Sequence, residues 1–263
     1  MENRTDKNSY TLLFAVGMVI VVGGILAFLA SSLSPAIAQN EKIEKQQNIL
    51  YALGINNNEG SSAVFIDASE APEEFKKNVT EQLVLTFKDG SIVKTQTRQE
   101  YMDEANQEPY LIDVKKQQNL QKTEGTRLLP LFVGKNPEGK TLYVAPIRGK
   151  GLWDAIWGGY VAVDEDMVVQ GAYFDHKGET PGLGANIKQT YFMDDFTGEH
   201  LLNDSGVFKG ITVAKGNADP KNNDKNDYEV DAIAGATITG DGVTAMIKKD
   251  LGLYVPYFKT LKK

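Results

Sequence analysis

Two hydrophobic regimes divide the chain. From Leu12 to Leu29 apolar residues run almost without a break, and no charged residue falls between Lys7 and Glu41. Roughly 20 helical residues at about 1.5 Å each match the roughly 30 Å hydrocarbon core of a bilayer, so this run predicts a membrane-spanning helix over 11–33. Ala36-Ile37-Ala38 also fits the small-x-small pattern at which a secretory signal is cut. Signal cores are about 7–15 residues long, however, and this one continues through Gly23-Gly24 to Ala30, which favours a retained anchor. Gly17, Gly23 and Gly24 would let a second helix come close, although single-pass anchors carry such glycines with no partner.

Beyond Glu41 the apolar positions follow shorter rhythms. Ile43, Gln47, Leu50 and Leu53 share one side of a helix that Gly54 would stop, predicting a stalk helix or linker over 34–56; a helix docked on a domain edge fits equally well. Pro72 with Glu73 and Glu74 marks a helix start. Val84–Phe87 and Ser91–Val93 about Lys88-Asp89-Gly90 read as a hairpin, Arg127–Val133 and Thr141–Ile147 about Asn136–Gly139 as a second, and Tyr160–Val163 with Val168–Phe174 as a third. Val207–Ala214 reads as a further strand, and the polar, Gln-rich stretch from Thr95 to Glu124 as an exposed helical or irregular insertion. Val243, Met246, Ile247 and Leu251 give a last helix a core-facing side, with Lys248 and Lys249 towards its carboxyl end. Hairpins with intervening helices predict an α+β domain over 57–263 with a largely antiparallel sheet.

Composition narrows the chemistry. Among 263 residues there is no cysteine, which excludes disulfides, iron–sulfur clusters and thiolate zinc within the chain. A net charge of −7 with no basic stripe argues against nucleic acid. Two histidines are too few for an all-histidine zinc site, and His176 lacks a nucleophile motif to serve, so it reads as a structural or hydrogen-bonding residue. In the hydrophilic loop Asn217–Asp227, the residues Asp224, Asn226 and Asp227 invite a calcium reading, but the glycine and terminal glutamate of a calcium loop are out of register and a solvated loop is favoured. No metal ligand set and no catalytic residue is assigned.

Three segments remain as candidates for one site. Gly149-Lys-Gly-Leu152-Trp153 leads into Trp157-Gly-Gly-Tyr160; two indoles four residues apart are commonly core packing, while the flanking glycines suit a planar ligand or a tight turn. His176 to Ala185 is a loop punctuated by Pro181, Gly182 and Gly184, with Glu179, Thr180 and Leu183 as its functional groups. Asp231-Ala-Ile-Ala-Gly235-Ala236-Thr237 runs into a helix expected to start near Thr239, an apt N-cap, so that backbone N–H groups would face the Thr237 hydroxyl. On physics alone an ordinary helix cap and an anchored phosphate fit this last segment.

In that order the three segments resemble the FMN-binding domain of the C-subunit family of sodium-translocating NADH:quinone reductases. The run Asp231–Thr237 is similar to the motif at which a flavin transferase joins FMN, through its phosphate, to a threonine hydroxyl; Ala234 stands where Ser or Thr is usual. The resemblance implies one FMN attached to Thr237 and contacted by Gly235, Ala236, Ile238, Thr239, Leu152, Trp153, Thr180, Leu183 and Gly184, with Glu179 orienting its loop. It also implies a bacterial inner-membrane protein with residues 1–10 in the cytoplasm and the domain on the periplasmic side; charge alone says little, since Arg4 and Lys7 are nearly balanced by Lys42 and Lys45. Electrons would pass from NADH, oxidised on another subunit, through this flavin towards ubiquinone, coupled to sodium export. The chain itself has no Gly-x-Gly-x-x-Gly after a strand to hold a dinucleotide. The G subunit of Rnf-type electron-transport complexes shares the domain and the threonine; the length between the span and Trp153 favours the quinone reductase. A membrane-tethered binding or scaffold domain without flavin, with Thr237 serving only the helix start, is the reading from another class.

Overall fold

The computed structural model describes residues 8–219 and 222–262, in two compact units that divide between Lys42 and Ile43. Arg4 and Lys7, on which orientation by charge rests, and Lys221 of the hydrophilic loop lie outside the described residues. Helix α1 (Asn8–Ala52) covers both the expected span and the expected stalk, with Pro35 inside it. Its residues 8–41 are exposed, and it is long and apolar enough to cross a membrane.

The second unit starts at Ile43, earlier than the expected 57, because the last turns of α1 are core: Ile49, Leu50, Ala52 and Leu53 are buried, and Gly54, at φ +82°, turns the chain out of the helix. After α2 (Ala71–Asn78), six strands form one antiparallel sheet: β1 (Val79–Lys88), β2 (Ser91–Thr97), β3 (Thr126–Lys135), β4 (Thr141–Lys150), β5 (Ala155–Val163) and β6 (Val169–Tyr173), in the order β2-β1-β3-β4-β5-β6. All three expected hairpins are present, for example Tyr160 opposite Tyr173. Strand β5 begins at Ala155, five residues before its expected start, so Trp157, Gly158 and Gly159 are strand.

Alternation along β1 feeds two cores. Leu83 and Leu85 join the main core, which takes Leu129, Leu131, Val144, Ile147 and Val161 from the sheet, while Val84 faces the other way onto Tyr101 and Ile112. Those two belong to the Gln-rich insertion, which is ordered as α3 (Arg98–Ala105) and α4 (Val114–Glu124). A capping box between Thr97 and Glu100 starts α3, and the Asp113 carboxylate, accepting from Lys116 N at 3.1 Å, starts α4. A short helix α5 (Thr190–Asp194) and the two-residue parallel strands β7 (Thr212–Val213) and β8 (Glu229–Val230) follow. The strand expected over Val207–Ala214 is therefore only two residues long, since Gly210 at φ +67° turns the chain before it.

Helix α6 (Thr237–Asp250) and α7 (Val255–Leu261) close the main core. The predicted face is buried as Val243, Met246, Ile247 and Leu251, each such side chain contributing about 1.5–3 kcal/mol. One carboxylate fixes α6 to the sheet. Asp250, at its end, accepts from Arg127 of β3 at 2.7 Å, with both side chains 1% exposed, and also from Arg148 N at 2.9 Å and from Gln118 of α4.

Candidate functional site

The start of α6 brings Thr237 to the surface. Gly235 has φ +71°, a conformation that strains any residue with a Cβ, and Leu183 stands so close that a Cβ there would lie 2.8 Å from its Cδ2. Ala236 then turns inward, and Thr237 and Ile238 point out. The helix begins at Thr237, two residues before its expected start. Ala236 occupies the N-cap position, and among the described residues no side chain caps the first turn. Thr239 is accordingly not the cap: it is buried, and its hydroxyl donates to Glu179 Oε2 at 2.5 Å.

That hydrogen bond joins α6 to the loop after β6. Glu179 is 5% exposed and also accepts from Trp153 N at 3.0 Å, so its carboxylate ties together segments that lie 26 and 60 residues away in sequence. Burial alone would push this carboxyl up. The Thr239 hydroxyl and the backbone N–H groups of Trp153, Asp154 and Leu152 outweigh burial and hold it below the usual carboxylate range. The loops close on it tightly: a Cβ on Gly151 would lie 2.5 Å from Glu179 Oε1, and one on Gly184 2.5 Å from Oε2. Behind the loop, His176 accepts from Glu179 N at Nδ1 (3.1 Å) and so supports the turn, and burial lowers its pKa against the pull of Asp175. It has the structural role expected of it.

Around this frame stands an apolar rim. Leu152, Trp153, Leu183 and Ile238 are all exposed, Trp153 at 68%. The Trp153 indole is held by a hydrogen bond from Nε1 to Thr180 Oγ1 at 3.2 Å. Trp157, 42% exposed, borders an open hollow of about 450 Å³ with Arg148, Asp154 and Lys177. Neither tryptophan is a core residue, which removes the packing explanation of the pair. The eleven expected site residues thus fall into a buried frame (Glu179, Gly184, Ala236, Thr239) and an exposed surface (Leu152, Trp153, Thr180, Leu183, Gly235, Thr237, Ile238). A hollow of about 530 Å³ between α2, β1 and α3 carries no such set, and its Arg98 is committed to Glu108.

The arrangement suits an anionic group on the Thr237 hydroxyl and a flat apolar group against the rim. An uncapped start of a 14-residue helix presents N–H groups to an anion at Thr237, a preference of about 0.3–1 kcal/mol at an exposed position. That is too little to retain a ligand alone. The carboxylates of the hydrophilic loop face their own amides: Asp224 Oδ1 accepts from Asn226 N at 3.0 Å and Asp227 Oδ1 from Glu229 N at 2.9 Å. Among the described residues no three His, Cys, Asp or Glu side chains converge on a metal position.

A family model described as FMN-binding domain matches residues 151–252, the stretch from Gly151 to just past α6. The C subunit of the Na(+)-translocating NADH-quinone reductase of Vibrio anguillarum is 26% identical over 246 residues, covering 92% of this chain and 90% of that protein. Its counterpart from Neisseria meningitidis serogroup A is 26% identical over 270 residues, covering 100% and 98%. The crystal structure of the corresponding protein from Parabacteroides distasonis superposes with a TM-score of 0.66 at 31% identity, covering 86% of this chain and 96% of that one. Shewanella oneidensis NqrC gives 0.60 at 25% identity, covering 86% and 99%.

Proposed function

We propose, given that the chain belongs to the C-subunit family of the sodium-translocating NADH-quinone reductases, that it is a membrane-anchored electron carrier with one FMN esterified to Thr237. Membership makes it an electron-transferring flavoprotein component of a multi-subunit NADH-quinone reductase, and it sets aside both the Rnf-type subunit and the flavin-free scaffold. The observation that carries the finer reading is an exposed threonine at an uncapped helix start, beside an exposed apolar rim, inside the stretch matched by the FMN-binding family.

When bound, FMN supplies reversible electron uptake at its isoalloxazine ring. Thr237 Oγ1 holds the phosphate through an ester, and the amides of the first turn of α6 orient it. Leu152, Trp153, Leu183 and Ile238 would hold the ring, while Thr180 fixes the Trp153 indole. Gly184 and Ala236 let the loops pack beneath, and Glu179 holds both loops against Thr239. A covalent ester keeps the flavin in place even in a shallow, solvent-facing seat, where partners can come near it.

Helix α1 crosses the bacterial inner membrane over about 11–33, residues 1–10 lie in the cytoplasm, and the domain, which we place from Ile43 onward, is periplasmic. NADH is oxidised on another subunit, ubiquinone is the final acceptor, and a flavin transferase loads FMN during maturation. Coexpressed with that transferase, the full chain gains the mass of one FMN less one water within Asp231–Lys248 and fluoresces in a denaturing gel. Thr237→Ala loses both signals. Wild-type protein of unmodified mass under these conditions rules the proposal out.

A further inference from the structure

One carboxylate touches all three segments of the site. Thr239 Oγ1 reaches Glu179 Oε2 at 2.5 Å, Trp153 N reaches Oε1 at 3.0 Å, and the backbones of Gly151 and Gly184 lie so close that neither tolerates a Cβ without displacing the carboxylate. The groups that donate to it are neutral, a hydroxyl and amides, and the one titratable ring beside it, His176, is spent as an acceptor for Glu179 N at 3.1 Å, its pKa lowered by burial. The cations on either side of it in sequence are engaged elsewhere, Lys177 with Asp154 at 3.3 Å and Lys188 with Asp175 at 2.9 Å. Among the described residues, then, this buried negative charge has no cationic partner, and through Thr239 it lies two residues from Thr237 along α6. Buried charges of this kind are poorly screened by salt, and their fields reach further than those of surface groups.

We propose that Glu179 is the residue that sets how readily the FMN of this protein accepts electrons, its fixed negative charge opposing their arrival and holding the midpoint potential low. The inference rests on the assignment of FMN to Thr237. Glu179 acts as a positioning and electrostatic residue; no bond to it forms or breaks. A purely mechanical role would explain the packed glycines and the hydrogen bonds equally well, so the test must separate charge from shape.

The full chain, coexpressed with the flavin transferase and purified in detergent, is titrated redox-optically at pH 8. Glu179→Gln keeps the shape and can accept from Trp153 N and donate to Thr239, but carries no charge; its midpoint moves to more positive potential, with the flavin still attached. Thr239→Val keeps the charge and removes one of the donors that soften it, so its midpoint moves the other way. Mechanical loosening shifts both variants in the same direction. An unshifted or negative-shifted Glu179→Gln overturns the proposal. If that variant takes up no flavin, Thr239→Val decides: a negative shift supports the proposal, and any other result overturns it. Failure here is distinguishable from failure of the FMN assignment, because flavin fluorescence and peptide mass of the wild type are read first: a bare wild type overturns both, and a loaded wild type leaves the potentials to decide this proposal alone.

Discussion

Thr237 and Thr239 lie two residues apart and do opposite things, one pointing out with an exposed side chain and the other buried against Glu179. Local sequence could not separate them, because the partner that draws Thr239 inward lies 60 residues back. The same holds for the indoles of Trp153 and Trp157, whose spacing fits core packing; the glycines of the site segments are the better signal, and two of those, Gly151 and Gly184, bear directly on a carboxylate. Replacing either with alanine forces a Cβ to within 2.5 Å of Glu179. We expect Gly151→Ala and Gly184→Ala each to cost about 1–3 kcal/mol in urea denaturation. Thr237→Val, whose side chain is exposed, should leave the midpoint of denaturation within the error of the measurement while abolishing the flavin adduct.

Elements are legible where periodicity is long and turn chemistry strong. The three hairpins and the apolar face of α6 are cases in point. The Gln-rich insertion has no apolar rhythm, yet Thr97-Arg-Gln-Glu100 is a capping-box pattern and marks the start of α3. Gly158 and Gly159 look like breakers, which shortens the expected β5; they lie in the strand because side chains of Asp175 and Ile147 occupy the space a Cβ would need. What sequence does not disclose is how the last helix is fastened. Arg127 and Asp250 meet in the core across 123 residues. Removing one partner of such a pair strands a buried charge, so Asp250→Ala should cost about 3–5 kcal/mol in a denaturant titration. Replacing both, as in Arg127→Met with Asp250→Leu, should recover much of that loss. Because α6 carries Thr237, Asp250→Ala should also slow flavin attachment, seen as a weaker band in the denaturing gel.

At the scale of the molecule, residues 8–42 and the compact unit from Ile43 are separable in their internal contacts. A chain lacking residues 1–42 should therefore fold and leave the membrane fraction, as judged by ultracentrifugation and circular dichroism. Its stability should fall as pH rises from acid to neutral. Glu199 is fully buried, its Oε2 has no hydrogen-bond partner among the described residues, and burial pushes the carboxyl up to about 7 against the opposing effect of Asn222 and Lys225. The folded state thus keeps a proton that the unfolded chain releases above about 4.5, and stability declines from there to about pH 7 before levelling. Glu199→Gln should reduce that decline, leaving the part due to Asp195, which burial raises to about 6, and be the more stable form at pH 8 by roughly 1–3 kcal/mol, measured by denaturation across the pH series. The chain has only two tryptophans, and Trp153 and Trp157 both stand in the site segment with much of their rings in solvent. All of its indole emission consequently originates in one neighbourhood, and an isoalloxazine seated there would absorb that light by resonance energy transfer, so the unlabelled protein carries its own optical gauge of maturation.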